Sequence, residues 1–197
     1  MGDRIAEVIV LAEDLRSGRL VQRYVERALN PRGVRLRIAP AGKQSAYDWV
    51  IQSYPVEMKS HRNRVSKGAN LSAVAVHVDA DNLTVQQRSS QLAEALRAQG
   101  EPPRGPGERI AVIVPRRNME TWIHGLTAVP VDEQYDFKRD EAGRIAPNTR
   151  QRERMCDERI GPAAQELHRL SRPNAPSPPD TLPALILAIE ELRRLER

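Results

Sequence analysis

The sequence predicts an α/β fold: a mainly parallel sheet of about four strands flanked by helices, with a helical extension at the C-terminal end. Three observations predict it. Residues 8–11 (VIVL), 73–78 (AVAVHV) and 109–114 (RIAVIV) are continuous apolar runs of strand length rather than alternating ones, the pattern of strands covered on both faces. Segments with helical spacing separate these runs, so strand, helix and strand follow one another as in a parallel sheet. Acidic residues stand just after the first two runs, at Glu13, Asp14, Asp79 and Asp81, where open α/β sheets bind ligands.

The first strand is expected over 5–12, delivering Glu13 and Asp14 at its end. Residues 15–29 carry apolar side chains at 20, 21, 24, 25, 28 and 29, a helical period, and Asn30, Pro31 and Gly33 stop the helix. Residues 34–39 (VRLRIA) alternate, as a strand nearer an edge does. From 42 to 65 the reading is less direct: AYDWVIQSY suits one helix, which Pro55 is expected to break or kink. Lys59, Arg62, Arg64 and Lys67 make the next stretch basic, either a solvated face or a track for a phosphate backbone.

The third strand, within 72–81, ends in Asp-Ala-Asp. Two carboxylates at i and i+2 on extended chain point to one side and repel unless a cation lies between them. Alternatively they cap the helix that starts near Thr84. That helix covers 84–98, with Val85, Leu92 and Leu96 inward; a Pro/Gly loop, 101–107, precedes a fourth strand at 109–114. Asn118 can cap the next helix, METWIHGL, whose first turn holds Glu120. An acid there either partners the helix dipole or joins the other strand-end acids.

Residues 132–143 form a charged loop; 151–159 and 163–170 read as two helices separated by Gly161 and Pro162. The Pro-rich stretch 172–183 reads as a linker, and 182–195 as an amphipathic helix that closes the back of the fold or meets a partner. The organisation expected is an α/β domain over 1–145 and a helical extension over 146–197 packed on or beside it.

With 197 residues and one cysteine, Cys156, the chain has a core's worth of sequence but no internal disulfide and no multi-cysteine zinc site. Nothing in the first residues reads as a signal peptide, and no apolar run nears the roughly 20 residues of a membrane helix, so a soluble cytoplasmic protein is expected. A net charge of +5 favours a polyanionic partner. His61, His77, His124 and His168 show no metal-ligand spacing. His77 shares the parity of Asp79 and Asp81 and reads either as a core histidine or as facing their way. No GxSxG element and no glycine-rich phosphate loop is present, which leaves a hydrolase triad and a Walker-type ATPase without support.

A glutamate ending one strand (LAED, 11–14) and Asp-x-Asp ending another (VDAD, 78–81) resemble the Toprim domain of topoisomerases, primases and a set of nucleases. The resemblance spans roughly residues 5–117. It is stronger to bacterial Toprim-related proteins of the overcoming-lysogenisation-defect type, in which a second glutamate opens a helix beside an aromatic residue, here Glu120 and Trp122 in METW. Toprim domains usually place glycine after the first glutamate; Asp14 stands there instead. The chain also lacks room for the extra modules of topoisomerases and primases.

The resemblance implies a Mg²⁺- or Mn²⁺-dependent nuclease. Asp79 and Asp81 hold metal, Glu13 binds a second ion or acts as general acid or base, and Glu120 completes the site. Lys138, or Lys43, stabilises the charged transition state, the alternative for each being a solvated surface lysine. The implied partners are nucleic acid, DNA ahead of RNA, and an ATPase or other phage-defence protein, with self-association left open. Two other functions fit part of the pattern: a nucleotide-sugar transferase using Asp79 and Asp81, and a catalytically silent binding subunit.

Overall fold

A computed structural model describes residues 5–42, 45–68, 72–129, 131–134 and 149–196. Its strands are β1 (Glu7–Ala12), β2 (Gly33–Ile38), β3 (Ser72–His77) and β4 (Ile110–Ile113). They form one sheet in the order β2-β1-β3-β4, and every pairing is parallel. Helices α1 (Leu15–Leu29), α2 (Ala46–Ser66) and α3 (Val85–Ala98) connect successive strands; α4 (Met119–Gly125), α5 (Thr149–Ser171) and α6 (Pro183–Arg193) follow β4.

The continuous apolar runs are explained by two cores. Val8, Val10, Ala73, Ala75, Ala111 and Ile113 face the helices α1, α4, α5 and α6. Their neighbours in sequence, Ile9, Leu11, Val74, Val76, Ile110 and Val112, face α2 and α3. With both parities buried, β1, β3 and β4 are apolar on both faces over most of their length. On α1, Leu20, Val21, Tyr24 and Val25 are buried, each contributing roughly 1.5–3 kcal/mol. Gly18 lets this helix lie close to the sheet, since a Cβ there would meet Leu36 Cδ1 at 2.6 Å.

Two expected breaks do not occur. Helix α2 runs through Pro55, and α5 runs through Gly161 and Pro162. A proline inside a helix costs about 3 kcal/mol, but side chains on both sides of each one are anchored. Val50 and Tyr54 precede Pro55 and Met58 follows it, all in one core. Cys156 and Ile160 precede Pro162 and Ala163, Ala164 and Leu167 follow it in the other. A break would pull one half of α2 off β1 and β3, or one half of α5 off α1, α4 and α6.

The C-terminal helices share this core. Leu182, Leu185, Ala188, Ile189, Leu192 and Leu195 are buried, and Glu191 accepts a hydrogen bond from the Val112 N–H at 2.8 Å. Strand β4 is an edge, and α6 covers it, which removes a template for unwanted strand pairing. Among the described residues, no helix is long and apolar enough to cross a membrane.

Candidate functional site

The strand order places a reversal between β1 and β3: the chain leaves β1 toward β2, then returns to the other side of β1 for β3. Such a switch point opens a crevice above the carboxyl ends of the two strands. Glu13 and Asp79 stand at those ends. Glu13 Oε1 accepts a hydrogen bond from the Asp79 N–H at 3.1 Å, so two acids far apart in the chain meet. Burial, with the charge of Asp79 next, pushes the Glu13 carboxyl from 4.5 up to about 7.

Glu13 is half-buried, Asp79 is buried, at 8% exposure, and His77 is wholly buried. His77 Nε2 lies 3.1 Å from Asp79 Oδ1, yet neither atom has the alignment of a hydrogen bond, and His77 Nδ1 also lacks a partner. Burial opposes a charged imidazole, but the Asp79 carboxylate outweighs it and draws His77 above its ordinary range. His77 is thus not a satisfied core histidine; it faces the acids.

Asp81 stands near enough for its charge to add to the rise at Glu13, but its side chain turns outward. β3 ends at His77, so the alternation that would align residues 77, 79 and 81 lapses before Asp81, whose φ is 54°. Its side chain is 59% exposed, with one oxygen 3.7 Å from Arg88. Arg88, by contrast, is buried. Its Nε donates to the Asp79 carbonyl at 2.9 Å and its NH2 to that of Ala80 at 3.3 Å, while the guanidinium stacks 3.8 Å from the Tyr47 ring centre. Arg117 donates to the Asp81 carbonyl at 3.2 Å and to Asn82 Oδ1 at 3.2 Å, and Arg116 also bonds this turn. Thr84 then starts α3 with a reciprocal capping box to Gln87. Three arginines therefore hold the turn that carries the acids.

Glu120 is buried in the first turn of α4, behind the Asn118 cap. Arg16 NH1 binds its carboxylate at 2.9 Å, while Arg16 Nε binds Asp157 of α5 at 2.9 Å. Glu120 lies near enough for its charge to raise Asp79, after burial. Asp14 does the work of a helix cap, accepting from the Arg16 and Ser17 N–H groups. Trp122 points away from the acids and donates to buried Glu133 at 2.6 Å. Lys43 and Lys138 lie outside the described residues.

Sequence reasoning missed Arg16, Arg88 and Arg117. Arg88 left a trace: it occupies a position on the Val85, Leu92, Leu96 stripe, where an arginine needs a buried reason.

A divalent ion fits part of this arrangement. Asp79 Oδ1 is buried with no well-aligned donor, and burial with the Asp79 charge makes Glu13 hard to ionise, a setting that added positive charge would relieve. Mg²⁺ is commonly held by one or two carboxylates and keeps several waters. A cage of three acids is absent: among the described residues, no group of three or more His, Cys, Asp or Glu side chains is placed to hold a metal. Comparison with protein-family profiles, with curated proteins and with solved structures yields no match to this chain.

Proposed function

We propose that the chain is a Mg²⁺-dependent nuclease that cleaves phosphodiester bonds, DNA ahead of RNA. The observation that carries this reading is the meeting of Glu13 with Asp79 at the switch point of the sheet. The arginines nearby add support: Arg88, Arg116 and Arg117 bond the turn that follows Asp79 and Arg16 binds Glu120, so positive charge lies close to the acids, as a phosphate chain favours.

In this reading Asp79 is the principal ligand, and Mg²⁺ when bound supplies positive charge to the phosphorus oxygens and the leaving oxygen. Glu13 joins Asp79 as a ligand or holds the proton of the attacking water or the leaving oxygen. Arg88 positions Asp79 by its bonds to the carbonyls of Asp79 and Ala80. Glu120 acts indirectly, fixing Arg16 between α1, α4 and α5. Work beside an ATPase or another phage-defence protein belongs to the same proposal and rests on the Toprim resemblance alone.

One observation favours the silent binding subunit instead: Asp81 faces solvent beside Arg88, so the site has two converging carboxylates rather than three. A transferase that grips a diphosphate through both aspartates meets the same obstacle and leaves Glu13 without a task.

Incubation of the purified chain with DNA and RNA in Mg²⁺ or Mn²⁺, beside Glu13→Ala and Asp79→Ala variants, separates these readings. Cleavage lost in both variants supports the nuclease. Absent cleavage, or cleavage that survives both substitutions, overturns it.

A further inference from the structure

Among the described residues, the aromatic side chains fall into two groups. Tyr24, Tyr54 and Trp122 are buried in the cores. Tyr47 and Trp49 are half-buried, packed against the margin of the core that α2 and α3 cover, and both stand in the first turn of α2. That helix follows β2, which runs parallel to the other strands, so its first turn lies at the carboxyl end of the sheet, the end that carries Glu13 and Asp79. The register agrees: Arg37, beside Trp49, stands opposite Leu11, two residues before Glu13.

Each of these rings meets a guanidinium. Arg88 lies 3.8 Å from the Tyr47 ring centre and donates to the Asp79 carbonyl, while the Tyr47 hydroxyl donates to Gln91 Oε1 at 2.6 Å. Tyr47 is therefore held on both counts. Trp49 is looser. The Arg37 guanidinium stands 6.0 Å from its ring centre, the outer limit of such a contact, and Arg37 pairs with Glu57 while 40% of its side chain stays exposed. A flat apolar ring with an accessible guanidinium beside it is the pairing by which proteins hold unpaired nucleic acid: the ring takes a base and the guanidinium takes a phosphate.

We propose that the first turn of α2 is a platform for single-stranded DNA, with one base stacked on Trp49, a neighbouring phosphate on Arg37, and the strand passing Tyr47 and Arg88 toward the acids. A duplex does not suit this platform, because ring stacking needs a base splayed out of its stack. The inference deepens the nuclease reading, on which it rests for the place of the acids, by naming an unpaired strand as the substrate.

The chain has two tryptophans, and Trp122 is wholly buried with its Nε1–H bonded to Glu133, so a change in tryptophan emission on adding DNA reports Trp49. The test is titration of the wild type in EDTA with an oligothymidylate of about 15 nucleotides, and separately with its duplex with oligodeoxyadenylate. The single strand should quench the emission and the duplex leave it unchanged. Read by anisotropy of a labelled single strand, Trp49→Ala should bind about fivefold or more weakly, and Trp49→Phe, which keeps a ring, should bind more tightly than Trp49→Ala. An unquenched wild type, equal quenching by the duplex, or Trp49→Ala binding as the wild type does would overturn the proposal. If Trp49→Ala fails to fold, the wild-type titration decides alone. Absent cleavage in Mg²⁺ with this binding intact counts against the nuclease and leaves the platform standing.

Discussion

Replacing Glu13 by glutamine should stabilise the metal-free protein above neutral pH. Glu13 is held at about 7 against an ordinary 4.5, so the folded state keeps its proton longer than the unfolded chain does. The favourable contribution is complete below pH 4.5 and is lost as pH rises through about 7. At about 1.4 kcal/mol per pH unit, the loss approaches 3 kcal/mol. Glutamine can still accept the Asp79 N–H but has no proton to lose. Urea unfolding of both proteins in EDTA, at a series of pH values, reads the difference. The curves should lie together near pH 4.5 and diverge to about 3 kcal/mol in favour of Glu13→Gln by pH 8, roughly 6–12 °C in Tm. Mg²⁺ should narrow the gap by stabilising the wild type more than the variant, which keeps Asp79 but loses the second carboxylate. A gap that does not change with pH, or a variant less stable than wild type at pH 8, would refute the argument that burial and Asp79 govern Glu13.

Other substitutions test the parts around it. Arg88→Met strips the Asp79 carbonyl of its donor, leaves that of Ala80 with the Leu83 N–H alone, and removes the stack on Tyr47; thermal unfolding should show a loss of about 2–4 kcal/mol. Trp122→Phe leaves Glu133 without its 2.6 Å donor in a buried setting, a cost of about 1–3 kcal/mol in urea titration. Gly18→Ala forces α1 away from Leu36 and Ala12, and its midpoint should fall by an amount equivalent to about 1–3 kcal/mol.

Much of this architecture is legible in the residues. The runs at 8–11 and 73–78 read as doubly covered strands because both parities are apolar, and the two cores supply the reason. Glu13 and Asp79 could be paired in advance because both leave parallel strands at the same, carboxyl, end of the sheet. What hid Asp81 is local: strand alternation holds only while the strand does, and β3 stops at His77. Pro55 and Pro162 read as breaks because the anchors that carry the helices past them come from distant strands and helices. Arg16 joins Glu120 to Asp157 across three helices, a pairing that no spacing along the chain announces.

Crystals soaked in Mn²⁺ and measured at its absorption edge address the claim on which the proposed chemistry stands, that Glu13 and Asp79 share a divalent ion. One anomalous peak per chain between their carboxylates, lost in Asp79→Asn, is the predicted result. A peak elsewhere, or none at saturating Mn²⁺ with Glu13 still on the Asp79 N–H, would contradict it.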